Sequence, residues 1–386
     1  MEYKTFKLSE ISDKIGDGLH GTPSYNENGD YYFINGNNLN NGKIEIKNDT
    51  KKVNENEYEK YKKELNNNTL LLSINGTLGN IARYDGEKII LGKSVCYINI
   101  KQQFNVDFIK YIFNSKEFQR YLTVGANGTT IKNVPLSAIR NYEIKIPNIE
   151  NQNKIANILG KLDNKILINN QTNDNLYNMC NAIFHNYIDK YSELIKYTKI
   201  IDIANKVVTG KTPSTKNEKF WNGDIPFITI PDMHNQFFAI DTERTISKVG
   251  AKSLIPKNSI SVSCIATVGL VSISTEESQT NQQINSIVLK NNYDLYYLFE
   301  FLSEQENFMK NIAGGSTTYN INKTTFENIE VPYLPQDIVQ KFHDTVCKLF
   351  DKIKLNQLEN KNLEQLRDTL LPKLMNGEID LDKIEI

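Results

Sequence analysis

The sequence predicts an α+β protein written twice, each copy a globe followed by a long helix. Three observations point there. Thr22-Pro23-Ser24 returns as Thr212-Pro213-Ser214, and Gly29-Asp30 with Phe33-Ile34 returns as Gly223-Asp224 with Phe227-Ile228. Two apolar series step alternately by four and three residues, the spacing of a helix face that packs on another element. Short strand-like runs with matching helical patches precede each series.

Taken in order, the first globe covers residues 1–148. "LSEISDKI" looks helical near its start, and "YYFING", "KIEIK", "TLLLSI" and "VCYINI" read as short strands. "VDFIKYIFNSKEFQRYL" has helical spacing. In the second globe, 198–334, "IPFITI", "SISVSC" and "NSIVL" take the strand places, and "YDLYYLFEFLSEQENFM" takes the helical one. Two further echoes pair "LLSINGTLGNI" (71–81) with "SVSCIATVGLV" (261–271), and "GANGTTIKNV" (125–134) with "AGGSTTYNIN" (313–322). Proline-marked strand ends, "IKIPNIENQ" and "IEVPYLPQD", then lead into the long segments 149–197 and 335–386.

In the first long segment the seam runs Ile155, Leu159, Leu162, Ile166, Asn169, Asn173, Leu176, Cys180, Ile183 and Tyr187. In the second it runs Phe342, Val346, Leu349, Ile353, Asn356, Asn360, Leu363, Arg367, Leu370 and Leu374. Adding 187 to the first series reproduces the second, both asparagines included. A seam asparagine weakens a helix pair but fixes its register and partner. The shared polar defect therefore argues that the two helices pack on each other, against the plainer reading of two amphipathic helices each serving its own globe. Each seam spans about 33 residues, roughly 50 Å at 1.5 Å per residue.

At 386 residues, 39% hydrophobic and 24% charged, the chain has the length and balance of a folded protein with more than one domain. No apolar run approaches the ~20 residues of a membrane helix. "MEYKTFKLSE" lacks the basic-then-apolar layout of a signal peptide, so a cytoplasmic location is expected. Cys96, Cys180, Cys264 and Cys347, like His20, His185, His234 and His343, are dispersed, which predicts no metal. Net charge is −1, with 20 Lys/Arg against 17 Asp/Glu in 1–148 and 12 against 14 in 198–334. A polyanion would have to meet local basic faces.

Motifs with the outline of catalysis fail on their context. "GDGLHG" (16–21) satisfies GxGxxG but does not open a helix, as a dinucleotide turn must. "GEKIILGKS" (86–94) has five residues between its glycines where a P-loop has four, and its interior is an apolar strand. "GKT" (210–212) lacks the upstream glycine. GxSxG, HExxH and Asn/Asp-Pro-Pro-Tyr are absent, and Asp224 in a Gly-Asp turn reads as structural. No active site is expected.

Recognition chemistry remains. "TPSYN", "NGNNLNNGK", "SINGTLGN" and "GANGTTIKN" in the first copy are dense in Asn, Thr, Ser and Lys, as are "KTPSTKNEK", "SQTNQQ" and "AGGSTTYNINK" in the second. Asn and Gln can meet adenine with paired donor and acceptor, and Lys can meet guanine. Small hydroxyls, lysines and glycine-rich main chain bind phosphates. Any one such loop could be ordinary surface; two matching sets in duplicated globes favour binding.

With these residues in view, the chain resembles, over nearly its whole length, the specificity (S) subunit of a type I restriction–modification system. The resemblance rests on "GKTPSTKNEKFWNGDIPFITIPDM" (210–233), "GSTTYNINKTTFENIEVPYLP" (315–335) and the closing "LRDTLLPKLMNGEIDL" (366–381). The first copy matches less well, lacking the Trp of the opening loop. The resemblance implies two target-recognition domains, each reading one half of a split sequence in double-stranded DNA. It further implies a pseudo-twofold antiparallel coiled coil of the two long helices, docking two methyltransferase (modification) subunits, with restriction subunits joining outside. The seam length would set the unread gap, with an outer bound of about 15 bp at ~3.4 Å per step. Catalysis, S-adenosylmethionine and ATP would belong to partner subunits, leaving this chain without cofactor.

On that reading the DNA face holds Lys211, Thr212, Ser214, Lys216, Thr267, Gln282, Thr317, Thr318 and Lys323 in the second copy. In the first it holds Thr22, Ser24, Tyr25, Asn37, Asn38, Thr77, Thr129, Thr130 and Lys132. Trp221 is expected to pack beneath its loop. The competing expectation is a protein-interaction scaffold, two repeated globes on a coiled coil.

Overall fold

The computed structural model describes residues 2–40, 42–126, 132–234, 236–314 and 319–381. It divides into two compact units, Met1–Asp163 with Gln365–Ile386, and Asn164–Glu364. The long segments are helices, Ile149–Lys190 and Gln336–Met375. Each unit thus takes one globe and a stretch of both helices.

In the first unit an antiparallel sheet orders Ser12–Asp17, Val95–Ile100, Thr69–Ser73 and Ile81–Arg83. All six residues of Val95–Ile100 are buried, as suits a strand covered on both faces. Beside it lies a smaller sheet of Lys52–Val53, Tyr31–Ile34 and Ile89–Leu91. The second unit repeats the plan. Ala204–Thr209, Ile284–Leu289, Ile260–Ser263 and Val271–Ser274 follow the same order, with Phe238–Ala239 added as a fifth strand. A four-stranded sheet of Arg244–Ile246, Trp221–Ile228, Ser278–Thr280 and Leu254–Ile255 completes it. The helical patches also match: Val106–Asn114 and Lys116–Gly125 answer to Asp294–Ser303 and Glu306–Ile312.

One element departs from expectation. "LSEISDKI" is not a helix; its second half is the strand Ser12–Asp17. The cause is a β-bulge. Asn99 faces Lys14 but Ile100 faces Ser12, so Asp13 is left over and burial recurs every third residue, as on a helix. The second copy carries the same bulge at Asn205, between Ala204 and Lys206.

The long helices are part of each unit's core. Ile155, Leu159, Leu371 and Leu374 share an apolar cluster with Leu70, Ile98 and Phe108 of the first unit. Cys180, Phe184, Phe342, Val346, Phe350 and Ile353 join Tyr297 and Phe299 in the second. In the second unit the helices also pair with each other, antiparallel. Asn169 Nδ2 donates to Asn360 Oδ1 at 2.8 Å, and Asn356 Nδ2 donates to Asn173 Oδ1 at 2.8 Å. The offset of 187 converts one bond into the other, so the seam has pseudo-twofold symmetry. At the seam position of Arg367, in the first unit, the guanidinium meets Asp163 at 3.0 Å, and Asp163 also accepts from Tyr111 Oη at 2.7 Å. The second helix stops at Gly377, whose φ of +71° closes the last turn.

These amides are buried, so removing one partner should cost more than removing both. Asn173→Leu strands the Asn356 amide and is expected to cost about 1–3 kcal/mol. Asn173→Leu with Asn356→Leu should recover most of it. Urea denaturation of the four-member cycle tests this, and a double change that costs the sum of the two single changes would show that the pair carries no coupling.

Helix Asp294–Ser303 buries Glu300 completely against the first long helix. Burial pushes its carboxyl up to about 8, opposed by a 3.3 Å bond from Asn181; its Oε1 has no partner. The titratable groups around it are Glu304, paired with His185 at 2.7 Å, and Tyr177 and Cys180. The raised value means that the folded state holds the proton. Stability from Glu300 is therefore full below the ordinary carboxylate range and declines from there up to about pH 8, at roughly 1.4 kcal/mol per pH unit. Glu300→Gln should flatten the fall in melting temperature between pH 5 and 8. An unchanged profile would contradict the assignment.

Candidate nucleic-acid interface

Three loops in each unit are built on one main-chain frame. Gly18 N–H donates to Val95 O at 3.1 Å and Leu19 N–H to Leu91 O at 2.7 Å; Gly210 N–H donates to Ile284 O at 3.1 Å and Lys211 N–H to Thr280 O at 2.9 Å. Gly79 and Gly269 each close a loop onto a serine carbonyl, Ser73 and Ser263, at 2.9 Å, both with left-handed φ. The next loop docks alongside, through Val134 N–H to Ile74 O and Ile321 N–H to Cys264 O, both 2.9 Å. In each opening loop a buried proline, Pro23 or Pro213, pins a turn that leaves the flanking Thr and Ser exposed.

In the second unit Lys211, Thr212, Ser214, Lys216, Thr267, Gln282 and Lys323 are all exposed. Thr212 Oγ1 donates to Gln282 Oε1, joining two of the expected loops. Lys211 and Lys323 line one open groove of about 460 Å³. Trp221 is buried beneath the loop, its Nε1 donating to Ser214 O at 3.1 Å. Arg244, which sequence reasoning passed over, lies with its guanidinium 3.5 Å from the Trp221 ring centroid. Asp232 is structural: its carboxylate accepts from Thr229 and from Glu243 N–H.

In the first unit Thr22, Ser24, Tyr25, Asn37, Thr77 and Lys132 are exposed. Gly76 N–H donates to Lys132 O at 3.1 Å, setting the loops of Thr77 and Lys132 side by side. Ser24 N–H donates to Glu57, and Tyr25 is bridged to Val53. Asn38 does not belong on a binding face. It is 4% exposed, accepts from Asn35 N–H and donates to Glu45 O and Thr50 Oγ1, so the fold uses its amide as a loop staple. Thr129, Thr130, Thr317 and Thr318 lie outside the described residues. A smaller pocket of about 160 Å³, lined by Asp17, His20, Asn75, Lys93 and Asn133 among others, was not foreseen.

Lys206 and Lys252, also in the 460 Å³ groove, were likewise missed. Lys206 had a signal, since Lys14 stands at the same place beyond the bulge in the first copy. Lys252 is brought in by tertiary folding alone. Among the described residues no His, Cys, Asp and Glu are grouped to hold a metal, and no helix is long and apolar enough to cross a membrane. The P-loop-like "GEKIILGKS" contains the strand Ile89–Leu91 and so wraps nothing.

The profile of the family described as "Type I restriction modification DNA specificity domain" matches residues 1–178 and again 193–365. The chain belongs to that family. As a type I specificity subunit it recognises a DNA target sequence and is the non-catalytic component of its system. The HindI specificity subunit of Haemophilus influenzae is 31% identical over 354 residues, covering 71% of this chain and 77% of that protein. The MjaIX specificity subunit of Methanocaldococcus jannaschii is 34% identical over 177 residues, covering 44% and 40%. Among solved structures, a type I S subunit from M. genitalium shares the fold at a TM-score of 0.58, with 19% identity over 97% of this specificity subunit and 96% of that chain.

The glycines of the opening loops serve the frame. A Cβ on Gly210 would sit 2.1 Å from Asn281 O, and one on Gly18 would sit 2.2 Å from Leu91 O. Gly210→Ala and Gly18→Ala should each cost about 1–3 kcal/mol or more, while Lys211→Ala should leave the melting temperature unchanged. Thermal unfolding of the three variants checks this.

Proposed function

We propose that the two units read two separate parts of one duplex target, and that the chain brings modification subunits, and restriction subunits where present, to that split site. The observation that carries this is the shared frame. The same main-chain bonds hold equivalent loops in both units, yet the side chains they present differ: Lys211 stands where Leu19 does, and Tyr319 where Lys132 does. One scaffold with two sets of side chains suits two different readings of similar DNA geometry.

In the second unit the contacts fall to Lys211, Thr212, Ser214, Lys216, Thr267, Gln282 and Lys323; in the first, to Thr22, Ser24, Tyr25, Asn37, Thr77 and Lys132. The long helices support docking of two copies of one partner. Ile168 (56% exposed) and Met179 (52%) on the first helix correspond under the 187 offset to Leu355 (60%) and Leu366 (46%) on the second. Eleven residues apart, each pair returns to nearly the same side of its helix. Duplicated exposed apolar positions are what two identical partners would cover. Methyl transfer with S-adenosylmethionine, and ATP use, then belong to those partners, in the cytoplasm.

The test is single-molecule methylation sequencing of DNA from cells carrying the chain with its modification subunit, against cells lacking the chain. A methylated motif in two parts with a fixed gap is the expected result. Thr212→Ala with Gln282→Ala should alter bases in one part only. If an active modification subunit methylates the same sites with and without the chain, the reading is wrong. Ile168→Glu and Leu355→Glu should each remove one modification subunit from the complex by native mass spectrometry. Two retained copies in the double variant would exclude these faces.

A further inference from the structure

The construction of the groove in the second unit points to a particular ligand. Its walls come from the strand Ala204–Thr209, which carries Lys206, from the opening loop with Lys211, from Lys252-Ser253 ahead of Leu254–Ile255, and from Lys323. One buried side chain joins two of these walls. Gln279, 0% exposed, accepts from Lys252 N–H at 2.7 Å and Ser253 N–H at 2.8 Å, and donates to Lys211 O at 2.7 Å.

Four lysines therefore face one open space on a framework set before any ligand arrives. Among the described residues no carboxylate pairs with Lys206, Lys211 or Lys252; Lys323 has only Glu327, at 3.5 Å on its own helix. The hydroxyl of Ser253 is buried in the wall with no partner. Mutual repulsion among these lysines, three of them without a carboxylate partner, disfavours the empty groove and is relieved by an anion. The concentration is local, since residues 198–334 as a whole carry more acid than base.

The first unit differs at four of these places. Lys14, in register with Lys206, is bonded to Glu64 at 2.9 Å. Leu19 replaces Lys211, and Leu136, following the residue that caps its helix, replaces Lys323. Ile90, beside Leu91 as Gln279 is beside Thr280, is an apolar core residue that can join nothing by hydrogen bonds.

We infer that this groove is a clamp for phosphodiester groups of the duplex backbone, so that the second unit supplies most of the chain's salt-dependent hold while the first contributes mainly through its polar loops. This rests on the DNA-reading function proposed above and adds a division of labour to it. Lysine suits the task, because a phosphate needs point charges with freely turning donors and carries no base information.

The experiment measures binding of a cognate duplex to the assembled complex from 50 to 300 mM salt. Replacing Lys206, Lys211, Lys252 and Lys323 by Gln together should lower the slope of log K against log salt by about three to four, at ~0.9 per phosphate contact. Lys14→Gln with Lys93→Gln in the first unit should lower it by no more than about one unit. The methylated motif should keep its bases in both variants. An unchanged slope in the fourfold variant, or an equal fall in the first-unit variant, overturns the clamp. A wild-type complex that writes no two-part motif, but whose duplex binding still depends on the four lysines, would sink the specificity reading and leave the clamp standing.

Discussion

Four asparagine side chains, withdrawn from water between two helices, set the alignment from which the second unit is built. An amide in an apolar seam keeps its hydrogen bonds only if a second amide arrives opposite it. Asn169 finds Asn360 and Asn173 finds Asn356, and a slip of one heptad would break both pairs, leaving most of the amides facing leucine or isoleucine. The apolar positions on either side would tolerate such a slip far better, because one branched aliphatic side chain packs much like another. Register in this rod is thus a polar property of a mostly apolar contact. Since Cys180, Phe184, Phe342 and Phe350 on the same helices enter the globular core, the placement of the sheets follows from it.

The loops obey a similar division. Main-chain hydrogen bonds, close glycine contacts and buried prolines fix where each loop runs, and none of these depends on the identity of the exposed side chains. That separation lets one framework carry a lysine-walled groove in one copy and a small Asn- and His-lined pocket in the other. The two recognition units share a plan and differ in the side chains it presents.

The sequence made the duplication and the seam readable because both are periodic: an offset of 187 and a four–three step survive without any knowledge of contacts. The strand Ser12–Asp17 was obscured because its bulge gives a strand the burial rhythm of a helix. Asn38 was misjudged because an asparagine-rich run looks like surface, while its amide is spent on Glu45 and Thr50, brought close only by the fold. Lys252 and Gln279 sit 41 and 68 residues from Lys211, and nothing local marks them. Trp221 was placed correctly beneath its loop, since a lone Trp among turn residues has few other ways to leave water.

In the seam, each asparagine bonds to the repeat image of its neighbour and not to its own image. The helix of one half is therefore complementary to a pattern that its own copy also carries, like a plug and socket moulded on one piece. Genetic exchange that replaces one half by another bearing the same pattern would preserve the joint while changing what is read. A new target can then arise from a single crossover in the helix, with no adjustment demanded of the half that stays.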